Sequence, residues 1–433
     1  MPASILVPLI LLVLVLGSGV WVGLGLFGIG IISMELFRSI PVEKLLAQAV
    51  WNGLNSPELL ALPLFIMMAE LLFRSRFIDG LFEALEPWLR RLPGGLLHIN
   101  IVGCTLFALI SGSSAATTSS VGRITIKELS ERGYDEKLIH GTLAGAGTLG
   151  FLIPPSIVMI IYGVLSQTSV LKLFAAGLLP GLLLAACFMG FVMIVAFLRP
   201  EKIGHVDTSD ENIWRTRFSR LPRLLPFLIL IVSILGTMYG GLASPTEAAA
   251  VAVVATIGIM AFEGSLSIAS LSAAAIGTSR TVSMLGLIIA AASFLSVTMG
   301  FLGMPQAIEA HIANLDLSPL TLILLLVVIY IILGSFLEGM SIIVITIPIA
   351  LPLVVGAGYD PIWFGIFLIL MVELAQISPP VGMNLFVLQG LTRKPLGQIV
   401  LAALPFFFIM LSFVALLAVA PGIVTWLPGV LFG

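Results

Sequence analysis

A chain of 433 residues in which 59% are apolar and only 10% charged, with a mean hydropathy of +1.18, has too little polar surface to meet water as a globule. The formal net charge of −2 gives no sign of nucleic acid as a partner, and the two cysteines, Cys104 and Cys187, sit in apolar runs as buried thiols rather than as a disulfide or metal ligands. A soluble enzyme is excluded, and an all-α polytopic membrane protein with the lipid bilayer as its solvent is expected.

Each crossing of a bilayer core takes roughly 20 apolar residues, and such stretches recur along the whole chain. The first, 5–37, has no basic start and no polar segment where cleavage would free a soluble domain, so it reads as membrane rather than as a signal peptide. Its length suits two short spans broken near Gly17, Ser18 and Gly19. A span follows at 57–73. The segment 94–123 is interrupted by Ser111-Gly112-Ser113-Ser114 and reads as a re-entrant hairpin. The next, 140–165, carries Pro154-Pro155 in its middle, which deletes backbone donors and breaks the helix. A plain span at 173–198 leads to the longest polar connection, 199–223.

Beyond it lie apolar segments at 222–241, 244–262 and 281–303. Ser244, Pro245 and Glu247 have the spacing of a helix start, with Ser244 as cap. The stretch from Gly264 to Thr278 reads as a helix lying along the inner surface or as a connector. A second re-entrant hairpin is expected at 318–358, interrupted near Phe336 to Gly339. A second broken helix spans 361–390 around Pro379-Pro380, and the last apolar segment is 396–430.

If the chain starts outside and each hairpin enters and leaves on one side, every basic residue except Arg38, Lys44 and Lys172 falls inside, which is 20 − 3 = 17. That bias is the one expected of loops facing the cytoplasm. An offset of 225 carries Pro154-Pro155 onto Pro379-Pro380 and the first hairpin tip onto the second. The predicted organisation is therefore a first inverted repeat over 1–198, a cytoplasmic connector over 199–223 and a second inverted repeat over 224–433. Inverted repeats with helices broken at matching positions are the architecture of secondary transporters, whose solute sites lie near the midplane.

Seven hydroxyls crowd into residues 111–120 at the first predicted tip. Close helix packing would use such residues, but carbonyls at a hairpin tip also need partners, and hydroxyl and carbonyl oxygens suit a hard ion such as Na⁺. At each double-proline break, unwound carbonyls can hold a cation while half-helix N-termini face an anion. Glu70, Glu338 and Glu373 are acids within or beside apolar segments and default to functional candidates, Glu338 being the best placed. Gly23 to Gly28 matches a dinucleotide fingerprint literally, but no βαβ unit surrounds it, and helix packing explains it better. No ATP-hydrolysing P-loop is present, and His98, His140, His205 and His311 have no metal spacing.

Leu62 to Leu71, the Ser-Gly-Ser-Ser cluster at 111, Gly150 to Ser156, Ala243 to Ala249, and Ser378 to Gly382 with Asn384 together resemble the large membrane subunit of tripartite ATP-independent periplasmic (TRAP) transporters. The resemblance runs over nearly the whole chain. It implies a subunit of the bacterial inner membrane that works by an elevator mechanism with Na⁺ as coupling ion. A separate small membrane subunit and a periplasmic binding protein that delivers a small carboxylate are its implied partners. One Na⁺ site would combine Ser111, Gly112 and Ser113 with Gly150 and Pro154. The other would combine Glu338 and Gly339 with Ser378, Gly382 and Asn384. Solute would lie between, near Ser113, Ser114, Thr117, Pro155, Ser156, Gly339 and Pro380. The alternative is an autonomous Na⁺- or H⁺-coupled carboxylate carrier that needs no binding protein. An ion channel and an intramembrane enzyme are weaker readings, since the paired breaks favour alternating access and no acid, base and nucleophile cluster together.

Overall fold

In lipid a chain must satisfy its backbone donors within its own segments, and helices do that. The computed structural model describes residues 3–17, 20–38, 41–75, 77–204, 213–304, 306–307, 310 and 318–433, and the regular elements among them are helical. The first half comprises Ala3–Gly17 (α1), Val22–Phe37 (α2), Val42–Leu54 (α3), Ala61–Leu72 (α4), Phe77–Leu89 (α5), Leu97–Ser111 (α6), Ser114–Glu131 (α7), Glu136–Thr148 (α8), Ile157–Ser166 (α9) and Val170–Leu198 (α10). The second comprises Ile213–Arg220 (α11), Leu225–Ile231 (α12), Thr237–Tyr239 (α13), Pro245–Phe262 (α14), Ile268–Phe301 (α15), Pro319–Gly334 (α16), Gly339–Gly356 (α17), Pro361–Gln376 (α18), Met383–Thr392 (α19), Leu396–Val419 (α20) and Gly422–Phe432 (α21). Among the described residues six helical stretches, one of them running from Trp214 to Tyr239 through α11, α12 and α13, are long and apolar enough to cross a bilayer alone, and α3 with Pro57–Leu72, bent by 58°, makes a seventh if the pair counts as one span. The chain is a multi-pass membrane protein.

Most of the expected interruptions fall where helices end. The run 5–37 divides between α1 and α2, although Ser18 and Gly19 lie outside the described residues, as do Arg76, His205 and His311. The hairpin interruption at 111–114 becomes a two-residue turn, Gly112-Ser113, between α6 and α7, and Gly112 takes the left-handed φ of +56° that glycine adopts freely. The second hairpin turns through Ser335 to Glu338 between α16 and α17. Both double prolines interrupt helices, α8 from α9 and α18 from α19, and both Pro-Pro bonds are cis. Ser244 and Glu247 form the capping box that starts α14.

Two expectations are corrected, that for the stretch from Gly264 to Thr278 and the burial of Cys187. Residues 268–278 are neither a surface helix nor a connector. They are the first turns of the unbroken 34-residue α15, which Ser267 and Ser270 cap reciprocally and no proline interrupts. The last apolar segment is two helices, α20 and α21, parted at Ala420-Pro421. Within the connector α11 forms, and residues 205–212 lie outside the described set. Cys104 is buried, whereas Cys187 lies on an outward face of α10, where a thiol meets lipid at little cost.

The helices sort into two groups. In one, α2, α3 and α4 pack along α15, and α14 packs on α4. The glycines of the dinucleotide-like run serve this packing, with Gly23 against Leu287 and Gly25 against Val15. In the other, α6, α7, α10 and α20 surround α8, while α9, α10, α16, α17 and α20 surround α18. Every residue of α18 from Trp363 to Gln376 is buried, and so is every residue of α8 from Leu138 to Thr148. Helices apolar all round belong at the centre. By contrast α14 turns outward residues such as Phe262, which is 96% exposed.

The sequence offset survives as geometry. Helices α7 and α17 begin 339 − 114 = 225 residues apart, α8 and α18 361 − 136 = 225, α9 and α19 383 − 157 = 226, and α10 and α20 396 − 170 = 226.

Candidate ion and solute site

The first hairpin tip is seated on the first break. A Cβ on Gly112 would lie 3.0 Å from the Pro155 carbonyl oxygen and 3.2 Å from the Ile157 nitrogen. One on Gly150 would lie 2.8 Å from the Ser113 carbonyl. Only residues without side chains allow backbone to approach backbone this closely. Around the contact, the Ser111 and Thr117 hydroxyls are 2.7 Å apart, Thr117 Oγ1 donates to the Ser113 carbonyl at 2.8 Å, and Ser113 N donates to Ser111 Oγ at 3.3 Å. Ser156 caps α9, its hydroxyl accepting from Met159 N at 3.4 Å. Ser111, Gly112, Ser113, Thr117, Gly150, Pro154, Pro155 and Ser156 thus stand in one neighbourhood of oxygen atoms.

The second tip and break repeat the plan with different contacts. Gly339 faces α18, where a Cβ would lie 2.5 Å from Val372 and 3.0 Å from the Gln376 amide nitrogen. Glu338 caps α17, its carboxylate accepting from Met340 N at 3.1 Å. Ser378 donates its hydroxyl to the Leu374 carbonyl at 2.7 Å. A Cβ on Gly382 would lie 2.9 Å from the Ser378 carbonyl oxygen and 3.1 Å from that of Gln376, so the unwound carbonyls converge there. Pro154 and Pro155 are buried, whereas Pro379 and Pro380 are exposed.

Asn384 belongs to both sets. Expected with the second break, it accepts from the Ser114 hydroxyl at 3.0 Å and reaches the Ala144 carbonyl with its amide at 3.5 Å. It therefore ties α19 to the first hairpin and to α8. A second crossing lies nearby, since Phe151 of the first break approaches Gly339 and Glu373 lies beside the backbone of Phe151 and Leu152. Glu373 is wholly buried. Glu70 stands apart, paired with Arg74 and packed against Gly277 of α15. Sequence reasoning passed over Gln376 and the reach of Asn384. A polar amide inside an otherwise apolar run was the available signal for Gln376, but pairing across 270 residues leaves no mark in one sequence.

Four helices begin at these tips and breaks. The N-termini of α7, α9 and α19 adjoin through Ser114, Ile157 and Asn384, and that of α17 lies at Gly339 beside Phe151. Their partial positive charge suits an oxyanion, while the carbonyl ends of α6, α8, α16 and α18 suit cations. The family model described as "Tripartite ATP-independent periplasmic transporter, DctM component" matches residues 7–423. The chain belongs to this family.

Among DctM relatives, the C4-dicarboxylate TRAP transporter large permease protein DctM of Pseudomonas aeruginosa is 35% identical over 92% of each chain. The isethionate TRAP transporter permease protein DctMQ of Oleidesulfovibrio alaskensis is 31% identical over 99% of this chain and 66% of its own. Among solved structures, the Neisseria gonorrhoeae efflux pump MtrF superposes with a TM-score of 0.62 at 13% identity, covering 98% of this chain and 95% of its own, which is a likeness of fold. As a DctM protein the chain is a transporter permease subunit of the inner membrane.

Proposed function

We propose that this chain is the translocation subunit of a Na⁺-coupled secondary transporter that imports a small carboxylate-bearing solute handed over by a periplasmic binding protein, together with a small membrane subunit. The observation that carries this reading is the seating of the first hairpin tip on the first break, with Asn384 joining the second break to it. Cations take the oxygen clusters at the breaks, and the solute's oxyanion takes the N-termini between them. The group built on α8 and α18 moves as one body against the group built on α15, an elevator motion supported by the division of contacts between the two. A C4-dicarboxylate and isethionate, after which two relatives are named, share an oxyanion head, as this site chemistry would require.

The test is uptake of labelled succinate, N-acetylneuraminate and isethionate into proteoliposomes that hold this chain with its small subunit. Uptake that needs both a Na⁺ gradient and the binding protein is expected. Uptake without the binding protein would establish the autonomous carrier instead.

A further inference from the structure

A cleft away from the tips has chemistry of its own. Between the end of α4 and the middle of α7 lies a cavity of about 380 Å³ lined by Phe73 and by Ala116, Ser119, Ser120, Arg123 and Ile124. Ser119 and Ser120 stand four and three residues before Arg123, so all three share a face of α7. The threonines of this helix spend their hydroxyls on their own backbone: Thr117 donates to Ser113 O at 2.8 Å, Thr118 to Ser114 O at 3.0 Å and Thr125 to Val121 O at 3.0 Å. Among the described residues, the hydroxyls of Ser119 and Ser120 bond to nothing, and Arg123 has neither a hydrogen bond nor an ion pair. Its neighbours differ, Arg74 being paired with Glu70 and Arg132 with Glu86 and Glu128.

We propose that Arg123, Ser119 and Ser120 form a second binding station for the oxyanion of the solute, on the path between the first hairpin tip and the cytoplasm. It rests on the transport reading above. The fork of the guanidinium takes two carboxylate or sulfonate oxygens, and the free hydroxyls supply two further donors. Ten residues part Ser113 from Arg123, about 15 Å along the helix, so the station is distinct from the site between the tips. The cavity lies between the end of α4, in one helix group, and α7, in the other. An anionic lipid headgroup has the same oxyanion chemistry, so the test varies lipid and solute separately.

Cys104 and Cys187 are replaced by alanine, Ala116→Cys is introduced as a reporter that keeps all three binding side chains, and the complex with the small subunit is placed in nanodiscs of phosphatidylcholine with or without phosphatidylglycerol. Labelling by a methanethiosulfonate reagent is timed with and without succinate, N-acetylneuraminate or isethionate. At least one probe should slow labelling threefold or more, and Arg123→Gln should remove that protection. In proteoliposomes Arg123→Gln should also raise the half-saturating solute concentration about tenfold. Ile124→Cys serves as reporter if Ala116→Cys fails to assemble. Protection that survives Arg123→Gln, protection by phosphatidylglycerol alone, or no protection by any probe overturns the station. If the parent protein transports a carboxylate while no probe protects, the station falls and the transport reading stands. Protection without transport leaves the site and removes the reading.

Discussion

Asn384 shows how much one side chain can hold. Its bond to Ser114 and its reach to Ala144 fix the start of α19 to the first hairpin, so Asn384→Ala leaves a buried hydroxyl without its acceptor. The loss of one such bond is worth about 1 kcal/mol, and the Na⁺ concentration for half-maximal uptake is expected to rise about fivefold with assembly intact. Ser113→Ala should act in the same direction by removing one hydroxyl from the oxygen cluster, its backbone bonds with Ser111 and Thr117 being kept; an unchanged Na⁺ response in both variants would remove the ion-site assignment. Gly150 has no room for a methyl group because the Ser113 carbonyl occupies it, and backbone cannot swing aside. Gly150→Ala should cut uptake at least tenfold, on the order of 1.4 kcal/mol or more. Gly28→Ala, which meets open space, should leave uptake unchanged and serves as the control. Residue types that break helices or carry hydroxyls were legible in the sequence. Which of them touch was not, because contacts such as Ser114 with Asn384 arise only when the two halves close on each other.

At the scale of elements, the connector is fastened to α5 by charge and aromatic contact. Glu86 accepts from Arg132 at the base of the first hairpin at 2.9 Å and from Arg220 of α11 at 3.1 Å. Burial pulls the pKa of Arg132 down, but its bonds with Glu86 and Glu128 outweigh that and raise it. Arg217 lies over the rings of Trp88 and Trp214 at 5.0 and 4.7 Å and donates to the Pro87 carbonyl at 3.0 Å. Glu86→Gln should lower stability by about 1 kcal/mol, as half-exposed ion pairs do, read as a lower midpoint of thermal unfolding in detergent. Arg217→Lys should do likewise, since an ammonium cannot stack between two indoles. Hydropathy revealed the spans because lipid imposes it on the sequence. It could not reveal α11, a polar helix held by partners elsewhere in the chain, nor that α15 continues back through the serine- and alanine-rich stretch, whose composition is compatible with either state.

For the whole molecule, the division between the group around α15 and the group around α8 and α18 sets the expectation for motion. A bis-maleimide bridging Glu136→Cys and Lys394→Cys, whose native side chains pair at 2.8 Å away from the tips and breaks, joins elements within one group and should leave transport running. A bis-maleimide bridging Phe73→Cys and Ala116→Cys spans the cleft between groups and should stop it. If both bridges stop uptake equally, the two halves do not travel together. The repeat was legible as an offset of 225 because breaks and tips need particular residues, but the relative access of the two halves was not. The first double proline is enclosed and the second meets the surface. Under the proposed Na⁺ coupling, equal plans with unequal access predict a temporal order: an ion at the second break should trade with the bath faster than one at the enclosed first break. Exchange of radioactive sodium should then decay in two phases, the slow one lengthened selectively by whatever restrains the first hairpin, so that a structure nearly symmetric in space would be a one-way queue in time.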